Sequence, residues 1–302
     1  MSQGKYLPEG RLGAGVCTRE ALERAIREGS VLEGKAVRCT DRHELVVDIN
    51  GIRGIIPREE AAIGIDTGKT KEIAILSRVG KSVCFKVLSR MGDSFILSRK
   101  AAQLEALEHY MNNVQTGEVI RCRVTHLESF GAFVDIGCGV ISMIGIENIS
   151  VSRISHPAER FALRQDVYAV VTGKDPKNGR VSLSHKELLG TWEQCAGLLH
   201  PGETVSGVVR GVEDYGIFVE LLPNISGLAE RKEGVKIGDS VSVYIKSITP
   251  EKMKIKLIII DSEDKCERRL IRPRDYYITE GVLSMWRYSP VECEDKIIQT
   301  VF

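Results

Sequence analysis

The chain has 302 residues, 43% of them hydrophobic, with 42 lysines and arginines against 41 aspartates and glutamates. That length predicts two or three domains, and the composition is that of a folding chain rather than a disordered one. A net charge of +1 excludes a DNA packager or a histone-like tail, yet leaves room for a local basic stripe on an otherwise neutral protein.

The first predicted element is a helix over TREALERAIREG (18–29), with Thr18 as N-cap, Ala21, Leu22, Ala25 and Ile26 on its apolar side and Gly29 as its stop. Strand-like segments then run from about residue 30 to 99, ending in FILSRK. KAAQLEALEHYMNN (100–113) reads as a helix with Leu104, Leu107 and Met111 at helical spacing. From Gly117 the period returns to two: Arg121 and Arg123 alternate with Ile120, Cys122 and Val124. A second strand carries LESFGAFVDIG, a third covers Val140 to Ile144, and a polar crossing (ENISVSRISHPAERFALRQ) leads to a fourth at 167–172. The turn Asp175–Pro176–Lys177–Asn178–Gly179 precedes a fifth at 180–184. A shorter helix, KELLGTWEQC, follows before strands resume at Gly202, and the aromatic-rich last forty residues are expected to pack onto the rest.

The chain repeats itself. GEVIRCRVTHLESFGAFVDI (117–136) matches GETVSGVVRGVEDYGIFVEL (202–221) at an offset of 85 residues, pairing Phe130 with Tyr215, Gly131 with Gly216, Phe133 with Phe218 and Asp135 with Glu220. A weaker copy, SVLEGKAVRCTDRHELVVDI (30–49), places His43 and Val46 where the two aromatics fall. Each unit of roughly 70 residues is large enough for its own core, unlike the thin repeats of a solenoid. Five short strands with a long crossing after the third predict a small, partly open barrel, and Gly131 is expected to serve a bend in its second strand.

Little in the sequence points to chemistry. The eight cysteines (17, 39, 84, 122, 138, 195, 266 and 293) contain no CxxC pair, and the six histidines have no HxxxH or HxxE partnership. Reduced thiols, no metal, no cofactor and no catalytic activity are therefore expected. Neither a signal-peptide core nor an apolar run of membrane-spanning length is present, which predicts a cytoplasmic protein with no membrane partner.

The repeated opening resembles the S1 RNA-binding domain family, whose signature reads G-x-V-x-G-x-V-x-x-x-x-x-(F/Y)-G-x-F-V. The match is close in the second and third units and degraded in the first. The array as a whole resembles a short, three-repeat member of the bacterial 30S ribosomal S1 proteins. The resemblance implies an all-β chain of tandem five-stranded OB-fold barrels joined by short helical linkers. Its segments are an N-terminal extension (1–29), a degenerate S1-like domain (30–99), a helical linker (100–116), an S1 domain (117–186), a second linker (187–201), a third barrel (202–261) and a C-terminal extension (262–302). It also implies an RNA face built from the second strand's aromatics, a histidine after the third strand, an aspartate before the fifth and a basic residue at the fifth strand's start. In the second unit these fall on Phe130, Phe133, Gly145, Asp175 and Arg180, so the histidine is missing. In the third they fall on Tyr215 and Phe218, with Lys254 or Lys256 as the basic group.

Each candidate has a plainer reading beside it. Phe130 and Tyr215 either stack on bases or fill a core, and tyrosine suits a partly wet surface. Phe133 and Phe218 could face either side of a bent strand. Arg121, Arg123 and Arg180 either meet phosphate or form a solvated face, and Asp175 is as good a turn-former as an RNA contact. The resulting expectation is a non-catalytic protein holding single-stranded RNA, namely mRNA in translation at the small ribosomal subunit, with no DNA preference. The first unit, lacking the aromatics, is expected to contact the 30S subunit or another protein instead. The competing readings are a protein-interaction or ribosome-docking scaffold and an accessory factor in RNA turnover.

Overall fold

The computed structural model describes residues 6–13, 17–263, 269–294 and 296–302. After helix α1 (Arg19–Glu28) come three five-stranded barrels, each closed rather than partly open. Barrel 1 comprises β1 (Val31–Cys39), β2 (Leu45–Ile49), β3 (Ile52–Ile56), β4 (Ser82–Met91) and β5 (Ser94–Ser98), with the one-turn helix α2 (Ile73–Leu76) in its crossing. Barrel 2 comprises β6 (Val119–Glu128), β7 (Gly131–Gly137), β8 (Val140–Gly145), β9 (Asp166–Asp175) and β10 (Arg180–Ser184). Barrel 3 comprises β11 (Thr204–Glu213), β12 (Gly216–Leu222), β13 (Ile225–Ala229), β14 (Ser240–Thr249) and β15 (Lys254–Glu263). Helices α3 (Arg99–Asn112) and α4 (Trp192–Ala196) bridge them, and β16 (Met285–Arg287) pairs with β17 (Gln299–Val301) in the C-terminal extension.

The strand order is the same three times: first, second, third, fifth, fourth, with the third and fifth parallel and the fourth returning to the first. To close such a barrel, the first strand must pair with two partners. β6 meets β9 through 119–123 and β7 through 123–128. The turn between these halves is made by a bulge, with Val37, Thr125 and Arg210 as the extra residue in β1, β6 and β11. The bend expected at Gly131 is therefore made elsewhere. Gly131 and Gly216 open their strands, where a Cβ would lie 2.6 Å from the carbonyl oxygens of Ile144 and Ala229 respectively. Close approach of the next strand, not a kink, calls for glycine there.

Helix α1 has the caps expected of it: the Ala21 amide donates to Thr18 Oγ1 and Gly29 takes a left-handed φ of 63°. Helix α3 differs from expectation. Its buried side chains include Ala102, Ala106 and Tyr110, while Leu104 is exposed and Leu107 and Met111 are half-buried. Small residues let α3 lie close to its neighbours, and the Tyr110 hydroxyl donates to the Ile136 carbonyl of barrel 2.

The aligned carboxylates of the repeats hold the array together. In barrel 2, buried Asp135 accepts from the amides of Glu9 (2.8 Å), Gly137 (2.8 Å) and Gly139 (3.0 Å). Glu9 in turn takes both Nε (2.7 Å) and Nη2 (3.0 Å) of Arg99, at the start of α3. In barrel 3, Glu220 binds Arg160 of the barrel 2 crossing (2.5 Å) and Arg210 (2.6 Å), and Arg210 also binds Glu159. Arg160 and Glu220 have 0% side-chain exposure, so the expected polar crossing is in part an interface. Barrel 1 makes no such use of the position. Its counterpart Asp48 is exposed and merely accepts from the Gly51 amide (2.9 Å).

The C-terminal extension covers the seam of barrels 2 and 3. Ile271, Trp286 and Tyr288 are buried, the Ile271 amide donates to the Arg160 carbonyl (2.8 Å), and the Tyr288 hydroxyl donates to the Asn224 carbonyl. Tyr276 meets His185 Nε2 through its hydroxyl (3.0 Å). The cysteines are free thiols among the described residues, five of them buried, and Cys266 lies outside those residues.

Candidate nucleic-acid interface

Alternation on a barrel wall sends every second side chain outward, and in β7 and β12 the outward position next to the opening glycine is aromatic. Phe130, in the turn before β7, is 54% exposed, and Tyr215, before β12, is 70% exposed. Phe133 and Phe218 also point outward; Phe218 is 36% exposed and Phe133 is half-buried. The two pairs have the same geometry. Ring centroids of Phe130 and Phe133 lie 6.0 Å apart at 88°, and those of Tyr215 and Phe218 lie 6.0 Å apart at 87°. An edge-to-face pair of this kind fixes both rings while leaving one face of each open.

Strand register extends each pair into a row. Phe133 lies between His126 on β6 and Met143 on β8, and Met143 pairs with Ser182 on β10. Phe218 lies between Gly211 and Leu228, and Leu228 pairs with Lys256 on β15. Met143 and Leu228 are among the exposed large apolar side chains, and the His126 ring lies 6.3 Å from that of Phe133. These neighbours are not singled out by the sequence, although the exposed positions Ile141 and Met143 follow from the period-two pattern of β8.

Basic residues flank the rows. Arg180 pairs with Asp175 at the mouth of the β9–β10 hairpin, and Lys254 pairs with Thr249 at the same point of β14–β15. Lys254 is therefore the counterpart of Arg180, and Lys256 occupies the place of Ser182 in the aromatic row. Both lysines and Arg180 are exposed. Asp175 is absorbed in its turn: Asn178 Nδ2 donates to it at 2.7 Å, with further bonds from the Asn178 and Lys177 amides. The Asn178 amides, then Lys177 and the charge of Arg180, hold its carboxyl below the usual range.

Arg121 and Arg123 are not brought to this face. Both stand in the half of β6 that pairs with β9. Arg121 lies over the Tyr168 ring, 5.7 Å from its centroid, and lines a small cleft with Tyr6 and His109. Arg123 is held by Asp166 (2.9 Å) and the Glu9 carbonyl (3.0 Å), anchoring the N-terminal extension. In barrel 1 the corresponding row is blank: His43 sits at φ 59° near Glu72 (3.4 Å), and Val46 is half-buried. Among the described residues no group of three or more His, Cys, Asp or Glu is placed to hold a metal ion, and no helix is long and apolar enough to cross a membrane.

Residues 113–186 match the family described as S1 RNA binding domain. Across 276 residues the chain is 32% identical to the small ribosomal subunit protein bS1 of Leuconostoc lactis, covering 85% of this chain and 62% of that protein. It is 28% identical to bS1 of Streptococcus pneumoniae, over 82% of this chain and 64% of the relative. With the bS1 homolog of Bacillus subtilis it shares 30% identity over 81% of this chain and 66% of that protein. The chain thus spans a little under two thirds of the length of these relatives. Barrel 2, with its paired outward aromatics, is thus the part of the chain that matches the S1 RNA binding domain family, set in a chain that is similar to bacterial bS1 proteins over most of its length.

Proposed function

We propose that the protein binds single-stranded RNA, without catalysis, on the aromatic rows of barrels 2 and 3, and that it does so in translation at the small ribosomal subunit in the cytoplasm. The observation that carries this reading is the duplicated aromatic pair, exposed at the same place and angle in two barrels, each with a cation at the start of the fifth strand. Exposed rings accept the face of any base, and cations beside them meet the phosphates, so binding tolerates sequence and weakens with salt. The buried Arg160–Glu220 junction holds the two rows in one arrangement, so a strand bound to the first meets the second at high effective concentration. The ribosomal setting follows the relatives' names.

Barrel 1 supports a different role. Its row has no aromatic pair, and its crossing exposes Ile73, Leu76 and Val79, an apolar patch suited to protein of the subunit. The test is a single-stranded RNA titration at two salt concentrations, comparing wild type with a Phe130→Ala/Tyr215→Ala double variant. Weakened binding with an intact unfolding transition is expected, and unchanged affinity would remove the stacking model.

A further inference from the structure

A groove of about 580 Å³ lies against the barrel 3 row, within the range of about 300–1,000 Å³ over which pockets enclose small ligands. Its floor holds Tyr215 and Phe218. One wall segment is Val151–Arg153, from the crossing of barrel 2, and another is Tyr288, Lys296 and Ile298 of the C-terminal extension. Neither segment belongs to the barrel that supplies the rings.

The walls are fixed in place. The Val151 amide donates to Asn224 Oδ1 (2.9 Å), the Ser152 amide to the Pro223 carbonyl (3.2 Å), and the Trp192 amide to the Tyr288 carbonyl (3.0 Å). The groove is also cationic. Arg153, Lys252, Lys254 and Lys296 are exposed around it, against one lining carboxylate among the described residues, Glu213. A fifth cation, Arg210, lines it as well; its side chain is 10% exposed and its Nη2 has no hydrogen-bond partner among the described residues. Hydroxyls of Ser152 and Ser226, 2.9 Å apart, add neutral donors and acceptors. Rings, cations and hydroxyls together match a base, a phosphodiester and a ribose.

We propose that this groove is a composite subsite for one nucleotide of single-stranded RNA, shared by barrel 3, the crossing of barrel 2 and the C-terminal extension. This rests on the RNA-binding reading of the aromatic rows and goes beyond it: the extension becomes part of the binding site rather than a brace. Pre-formed walls lower the ordering cost of binding, so the barrel 3 row holds RNA more tightly than the barrel 2 row.

The test uses the full chain and a labelled oligouridylate of about 12 nucleotides, spanning both rows. Arg153→Gln and Lys296→Gln remove charges supplied by the barrel 2 crossing and by the C-terminal extension, and both side chains are exposed, so folding is not at stake. Each is expected to reduce the slope of log affinity against log salt by about 0.7, the value for one lost contact to a single strand. The effects add to that of Phe130→Ala. With 4-thiouridine in the probe, ultraviolet cross-links are expected in the tryptic peptide carrying Tyr288 as well as in that carrying Tyr215. Unchanged slopes for both glutamine variants, with Phe130→Ala and Tyr215→Ala still weakening binding, would overturn the composite subsite and leave the RNA reading standing. Failure of the wild type to hold the oligonucleotide at low salt would overturn both.

Discussion

Barrel 1 and the pair formed by barrels 2 and 3 share strand order, first-strand bulge and third-to-fifth parallel pairing, yet they present opposite surfaces. Where barrels 2 and 3 display two rings, barrel 1 has His43 and Val46; where they bury a carboxylate, Asp135 against the N-terminal extension and Glu220 against the crossing of barrel 2, barrel 1 leaves Asp48 in solvent. The difference separates the residues that make a barrel from those that make use of it. Interior alternation and closing bulges are common to all three. The outward row and the outward carboxylate are options on that scaffold, taken in the second and third units only.

The sharpest way to break this comparison is to remove the buried carboxylate. Glu220→Ala leaves Arg160 and Arg210 without their shared partner in a dry junction, and it should cost about 3–5 kcal/mol in urea unfolding. Asp48→Ala, its counterpart, should cost less than about 1 kcal/mol, since only one exposed hydrogen bond is lost. Equal costs would mean that the junction is not what separates the barrels.

The next effect belongs to His185, which occupies in barrel 2 the place Arg99 holds in barrel 1. Its Nδ1 is bonded to the Ile149 carbonyl (2.7 Å) and its Nε2 to Tyr276. Burial lowers its pKa from 6.5 to about 4. The folded state thus resists protonation that the unfolded chain accepts, so the stability present above about pH 6.5 declines as pH falls toward 4, by roughly 3 kcal/mol in all. His185→Gln should abolish that part of the pH dependence, read as the wild-type-minus-variant difference in unfolding free energy. A difference that stays flat between about pH 7 and 4.5 would show that the ring is solvated.

Of similar or smaller size are the stacking losses. Phe130→Ala and Tyr215→Ala should each weaken single-stranded RNA binding by about 1–3 kcal/mol, and Val46→Ala by nothing measurable. A loss on Val46→Ala would erase the functional contrast between barrels. The smallest effect separates two neighbouring lysines. Lys254→Ala should lower the salt slope by about 0.7, as Arg180→Ala does, because both occupy the start of the fifth strand. Lys256→Ala tests whether a cation inside the aromatic row behaves differently.

Much of this was legible in the chain. The recurrence of GEVIRCRV and GETVSGVV, with an aromatic–glycine–x–aromatic run after each, carries the barrels, and Thr18 and Gly29 mark the ends of α1, because period, caps and turn chemistry are local properties. The repeat also drew attention to Phe130 and Tyr215, and the structure exposes both rings. Arg121 and Arg123 were not legible, since alternation says only that they leave the barrel interior, and what lies outside there is Tyr168, Asp166 and the carbonyl of Glu9. Leu104 misled in the same way: helical spacing gives a stripe, but the partner surface favoured the small side chains of Ala102 and Ala106.

The sequence by itself determined three five-stranded units and the two places where an aromatic precedes a strand-opening glycine, because period, turn chemistry and recurrence are read from neighbours a few residues away. Only the tertiary structure decided that Asp135 and Glu220 are clasps, that Arg210 is turned into a seam by a bulge, and that Lys296 and Arg153 line one groove. Those outcomes depend on segments from about fifty to 140 residues apart being brought together by docking of whole units, which no local pattern encodes.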